Sequence, residues 1–73
     1  MTPEAAAYEA RRLLEDRTLR MAIAGLRAEA VDDLVAADAG QTLMVIRAQE
    51  RIKVCDDLFV MLQRFIEAVP SED

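Results

Sequence analysis

The chain of 73 residues contains no histidine, no tryptophan and a single cysteine. Without histidine it lacks the side chain most often used as a general base and as a metal ligand. One cysteine can form neither an internal disulfide nor a cysteine-based zinc cluster. We therefore expect no catalytic residue, no cofactor and no bound metal, and we expect that the chain is not an enzyme.

Glycine and proline are also scarce, with two of each, and aromatic residues make up only 4% of the chain. This scarcity excludes collagen-like and loop-rich chains, and a hydrophobic content of 53% excludes a disordered one. A β-sandwich would need β-branched and aromatic residues at every second position, and that pattern is missing. Alanine, leucine, glutamate, arginine and methionine are abundant instead, so we predict an all-α fold.

Neither clustered positive charge nor a long apolar run is present. The 9 basic residues are interspersed among 14 acidic ones, and the net charge is −5. Because affinity for nucleic acid depends mainly on clustered lysine and arginine, we expect no direct binding of DNA or RNA. No apolar run approaches the ~18 residues that span a bilayer, and the first residues lack the features of a signal peptide, so we expect no contact with a membrane.

Local signals divide a single helical domain, residues 1–73, into segments. Thr2 is a suitable N-cap and Pro3 suits the first helical position, which predicts a helix over residues 3–15. Four polar residues at 15–18 then interrupt the apolar pattern. Asp16 and Thr18 are both suitable caps for a second helix over residues 17–37, and whether the chain is kinked or broken near residue 16 stays open at this stage.

Further along the chain, residues 38–41 predict a turn, with Gly40 suited to a left-handed helix end. A helix over residues 42–69 follows, and Pro70 stops it before a polar tail at 70–73. Because the turn is short, the flanking helices should be antiparallel neighbours. We therefore predict an antiparallel hairpin of two long helices, which becomes three helices if the first one is broken.

Apolar residues recur at spacings of three and four along each long helix, as expected for one packed face. Gly25 lies within the second helix, and it either admits another backbone or is merely tolerated. In the last helix Cys55 lies on the face, so we expect it to pack rather than to react. The face of the second helix comprises Leu19, Ile23, Leu26, Ala30, Leu34 and Ala37, and the core seam of the last helix comprises Val45, Ala48, Ile52, Cys55, Phe59, Leu62, Ile66 and Val69.

A second apolar stripe, the flank, runs beside the core seam and consists of Val54, Leu58, Met61 and Phe65. At 100° per residue it lies roughly 80–100° around the helix from the seam. One antiparallel neighbour covers one stripe, so the second requires another partner. We predict that the flank is a protein interface.

The predicted dimensions also favour association. Residues 41–69 as one helix would be ~43 Å long, whereas a compact chain of this size has a radius of gyration of only ~11 Å. The monomer should therefore be an elongated hairpin, and chains below about 80 residues often need oligomerisation for stability. We expect a homo-oligomer or a complex with a larger structural protein, and no small-molecule substrate, because two long helices do not form a cleft.

Three segments carry a resemblance to a known group of proteins. Residues 9–16 read EARRLLED, residues 26–31 read LRAEAV, and residues 47–53 read RAQERIK. They resemble small helical proteins from the morphogenesis gene blocks of tailed phages and prophages, except that Arg17 stands where that group has proline. The resemblance implies a capsid-decorating, head–tail joining or packaging accessory subunit, located in the virion or in the host cytoplasm.

Two functions therefore remain open at the level of sequence. The first is a structural or assembly subunit of a tailed-phage particle that acts through the flank. The second is a small regulatory dimerisation or adaptor module, similar to an antitoxin, that binds a helix of a partner protein.

Overall fold

The structure, a computed structural model, describes residues 1–70. It contains the helices α1 (Pro3–Glu15), α2 (Arg17–Ala36) and α3 (Thr42–Glu67), and no strand among the described residues. With 84% of residues 1–70 helical, the predicted all-α class is confirmed. Of the predicted polar tail, residues 71–73 lie outside the described part of the chain.

The start of α1 follows from its first residues. Thr2 has extended backbone angles, and its hydroxyl oxygen accepts a hydrogen bond from the backbone N–H of Ala5 at 3.1 Å. Pro3 occupies the first helical position, where its missing N–H has no intrahelical partner to lose. Glu4 lies in the first turn, where its charge complements the helix dipole.

A single residue, Asp16, separates α1 from α2. Its backbone is extended (φ −71°, ψ 113°), and its N–H donates to the carbonyl of Leu13 at 3.1 Å to close α1. Its carboxylate accepts a hydrogen bond from the N–H of Leu19 at 2.8 Å and so caps α2. The first long helix is therefore broken, and Asp16 rather than Thr18 is the cap.

The turn after α2 differs in detail from expectation. The helix ends at Ala36, one residue early, because Ala37 adopts extended angles (φ −70°, ψ 133°). The N–H of Asp38 donates to the side-chain carbonyl of Gln41 at 2.8 Å, and the Gln41 N–H donates to the Asp38 carbonyl at 2.9 Å. No glycine in residues 1–70 has a positive φ, so the left-handed conformation predicted for Gly40 is wrong.

At its far end α3 stops at Glu67, two residues before the predicted end. The N–H of Ala68 donates to the Arg64 carbonyl, and the N–H of Val69 donates to the Ile66 carbonyl in a tighter final turn. The cause is Pro70, whose ring disfavours helical angles at the residue before it.

The helices pack as an elongated antiparallel hairpin. Both α1 and α2 pack against α3 and make few contacts with each other. Arg27 of α2 pairs with Asp56 of α3, while Asp33 further along α2 pairs with the earlier Arg51, so the two helices run in opposite directions. The radius of gyration is 16.0 Å and the principal extents are 54 × 22 × 21 Å. The molecule is thus a rod about two helix diameters wide.

The core along this rod is thin. Four of the buried residues are alanines, which allow the helix backbones to approach closely, and no large side chain in the described residues is fully buried. No polar or charged side chain of residues 1–70 is buried. The buried residues are Ala7, Ala10, Ile23, Ala30, Ala48, Cys55 and Leu62.

Candidate protein interaction surface

The core seam of α3 faces the two helices packed against it. All eight of its residues are buried or half-buried, with Ala48 at 0%, Leu62 at 8% and Cys55 at 9% exposure. Every other residue from 42 to 68 is exposed. The buried part of α3 is therefore a single stripe, and the remaining surface of this helix faces solvent.

The packed face of α2 agrees with the predicted one at five of six positions. Leu19, Ile23, Ala30, Leu34 and Ala37 are buried or half-buried. Leu26 was predicted to pack with them, but its exposure is 59%. Its side chain lines a groove that opens between α2 and α3, so it borders the helix contact instead of lying inside it.

The flank of α3 is left uncovered. Exposure is 66% at Val54, 43% at Leu58, 46% at Met61 and 44% at Phe65. These values differ sharply from those of the seam, although both stripes lie on the same helix about 100° apart. Neither α1 nor α2 covers the flank, so this row of large apolar side chains is open to another molecule.

The groove between α2 and α3 adjoins the flank and has a volume of about 680 Å³. Val54 belongs to both, so groove and flank form one continuous surface. The apolar lining consists of Leu26, Met44, Val54 and Cys55, and the charged lining consists of Asp33, Arg47, Glu50 and Arg51.

One exposed residue beside this surface was not predicted from the sequence. Leu43 is 58% exposed. Leu43 precedes Val54 by 11 residues, which is close to three helical turns, so it lies on the same side of α3 as the flank. This spacing could have identified Leu43 from the sequence, but the polar residues between Leu43 and Val54 obscured the pattern.

Two ion pairs join α2 to α3. Asp33 is bound to Arg51, and Asp56 accepts a hydrogen bond from Arg27 at 2.9 Å. That hydrogen bond, and then the charge of Asp56, raises the pKa of the Arg27 guanidinium, which stays positively charged. Within residues 1–70, no group of three or more acidic, cysteine or histidine side chains is arranged to hold a metal ion.

The exposed area of the chain is large for its size. It amounts to 5815 Å², whereas a compact monomer of about 8 kDa exposes roughly 4,500 Å². The difference exceeds the roughly 800 Å² that each partner contributes to a protein interface of standard size. The area that the rod exposes beyond that of a compact monomer is therefore large enough for one such interface.

Comparison with protein-family models, with curated proteins and with solved structures finds no match to this chain. Within residues 1–70, no helix combines the length and the apolar character needed to cross a bilayer.

Proposed function

We propose that this chain is a non-enzymatic assembly subunit that joins other protein chains through the flank of α3. One observation carries the proposal: four large apolar side chains form a row on one helix, and each of them is at least 43% exposed. Contiguous exposed apolar surface of this kind is typical of protein interaction sites.

The energetics of the flank suit repeated contacts. At ~25 cal/mol per Å² of buried apolar area, four such side chains contribute several kcal/mol to each contact, before the costs of association are subtracted. A single contact of this strength is modest. Repetition within a symmetric assembly makes the whole strong, because each further contact forms at a high effective concentration.

The proposed setting is a tailed-phage particle, and the support for it is the resemblance of residues 9–16, 26–31 and 47–53 to phage morphogenesis proteins. In that setting the subunit decorates the capsid, joins head to tail or assists packaging. Its partners are copies of itself or a larger structural protein, and it resides in the host cytoplasm before assembly and in the virion afterwards.

The test is fractionation by mass of lysates from the cells that produce the chain, with an antibody against the chain as the probe. We expect the chain to co-migrate with large particles and Phe65→Glu to return it to the low-mass fractions. The control is Tyr8→Glu, which places the same charge at an aromatic residue of α1 that is 65% exposed. Low-mass migration of the unaltered chain, or equal loss in both variants, would overturn the proposal.

A second function, the adaptor that binds a partner helix, is favoured by the groove. Its apolar lining beside charged side chains is the kind of surface that takes the apolar face of an amphipathic helix. In the same fractionation an adaptor would migrate with one partner at equal stoichiometry, and Leu26→Glu would release it. An assembly subunit would stay in the particle fraction when Leu26 is changed and leave it when Phe65 is changed.

A further inference from the structure

We infer that the partner on the flank is a second copy of this chain, with its α3 antiparallel to the first about a two-fold axis between Phe59 and Val60. The inference rests on the proposed function and names the partner and its orientation. In this arrangement Val54 meets Phe65 of the second copy, and Leu58 meets Met61 of the second copy.

The spacing of the flank fits such a two-fold contact. Successive flank residues are four, three and four positions apart, and this sequence of spacings is the same in both directions. When two such helices run antiparallel, every flank residue therefore meets a flank residue of the other copy at the same height. Opposite partners also complement each other in size, because the small valine faces the large phenylalanine and leucine faces methionine.

Charge complementarity supports the antiparallel orientation. Asp57 and Arg64 lie seven residues apart, two helical turns, on the edge of the flank that faces away from the seam. Both are exposed, and neither forms an ion pair with any other residue in the range 1–70. In the antiparallel dimer Asp57 and Arg64 of the second copy lie on the same edge, offset along the helix axis by about two residues. Two symmetric ion pairs therefore form.

A parallel dimer lacks this complementarity. It would place Asp57 level with Asp57 of the second copy and Arg64 level with Arg64, so no opposite charges would meet along the edge. Because charges flanking an apolar helix contact set partner choice and orientation, the pair favours the antiparallel form.

The shape of the hairpin and its area also fit a second copy. A helix with two apolar stripes about 100° apart suits the corner of a four-helix bundle, where each helix contacts two neighbours. Two hairpins joined at their flanks give that arrangement. The surplus exposed area of more than roughly 1,000 Å² is enough for one copy's share of a standard interface.

The test is analytical ultracentrifugation of the full chain and of charge variants over a wide range of concentrations, with circular dichroism to show that each variant is helical. We expect a concentration-dependent dimer. Asp57→Arg and Arg64→Asp should each raise the dissociation constant about tenfold, because two attractive pairs become repulsive. The double variant Asp57→Arg/Arg64→Asp should return to within about threefold of the original value.

The controls isolate the pair from other effects of charge. The double variant has the same composition and net charge as the unaltered chain, so its recovery cannot come from either. Asp32→Arg makes the same reversal at an exposed residue on α2 and should leave the dimer unchanged. Should a reversal unfold the chain, the neutral variants Asp57→Asn and Arg64→Gln replace it, and each should weaken the dimer about threefold.

A mixture gives a second readout. Equimolar Asp57→Arg and Arg64→Asp chains should form a heterodimer more strongly than either chain associates alone, because both cross-pairs are attractive again. A parallel dimer would also gain in the mixture, so the single variants decide the orientation: neither reversal would weaken a parallel dimer, in which like charges are level before and after the change.

The outcomes separate this inference from the proposed function. If the double variant and the mixture show no recovery while Phe65→Glu abolishes dimers, the antiparallel register is refuted and association through the flank stands. A chain that stays monomeric at every concentration refutes the second copy as partner, and the particle fractionation then decides the proposed function alone.

Discussion

Two leucines on α3 allow a direct comparison between the core seam and the flank. Leu62 belongs to the seam and is 8% exposed, whereas Leu58, one turn earlier, belongs to the flank and is 43% exposed. Replacing each by alanine removes the same atoms from the same helix. The two variants therefore differ only in where the lost side chain was packed.

We expect Leu62→Ala to lower the free energy of unfolding of the monomer by about 3 kcal/mol, because it removes buried methyl groups and leaves a cavity. Leu58→Ala should lower it by only about 1 kcal/mol, because roughly half of that side chain is already in water and no closed cavity forms. A chain of this length has about 4–11 kcal/mol of stability in total, so the first variant loses a large share of it.

The order should reverse for association. Leu58→Ala should raise the dissociation constant of the dimer about tenfold, since the contact is lost twice in a symmetric interface. Leu62→Ala should leave the dissociation constant of the folded chain unchanged. Urea unfolding at a concentration where the chain is monomeric measures the first effect, and ultracentrifugation measures the second. Equal losses of stability in the two variants would refute the assignment of seam and flank.

Three further substitutions test the helices themselves. Ala30→Leu, at a position with 0% exposure, should cost about 2 kcal/mol and lower the melting temperature by roughly 10 °C, whereas Ala28→Leu on the exposed side should change it little. Asp16→Ala should cost about 1 kcal/mol in urea unfolding and Asp16→Asn much less, because only alanine removes the acceptor for the N–H of Leu19. Gly25→Ala should add about 0.5–1 kcal/mol, since Gly25 has no positive φ and nothing lies within 4 Å of an added Cβ; a loss of stability in the same assay would contradict this.

The packing of α3 could be predicted from the sequence because its apolar spacing is regular over seven helical turns. From Val45 to Val69 the intervals alternate between three and four, and such a pattern fixes the direction of each side chain around the axis. The exposure of the flank followed from the same geometry, since one neighbouring helix cannot cover two stripes. The positions of the seam and of the flank could thus both be predicted from the sequence of α3 alone.

Features that depend on a choice between local interactions were harder to predict. Asp16 and Thr18 are both suitable caps by residue type, and in the structure Asp16 is the cap, because its carboxylate accepts the hydrogen bond from the N–H of Leu19. At Gly40 the propensity for a left-handed helix end was outweighed by hydrogen bonds between Asp38 and Gln41, which form the turn without a positive φ.

The exposure of Leu26 could not be predicted for a different reason. Its spacing places it on the packed face of α2, but its exposure depends on how far α2 stands from α3 at that height, and the groove opens there. Distances between helices depend on the side chains of both, so the periodicity of one helix does not determine them.

The alanine-rich core described above has a consequence for the lifetime of the protein. With four alanines among the seven buried residues in the described part of the chain, a solitary copy has little that resists transient opening. Proteases cut opened chains, so under the proposed function we expect solitary copies to be degraded while assembled copies persist. The amount of the protein would then follow the number of binding sites that its partners provide.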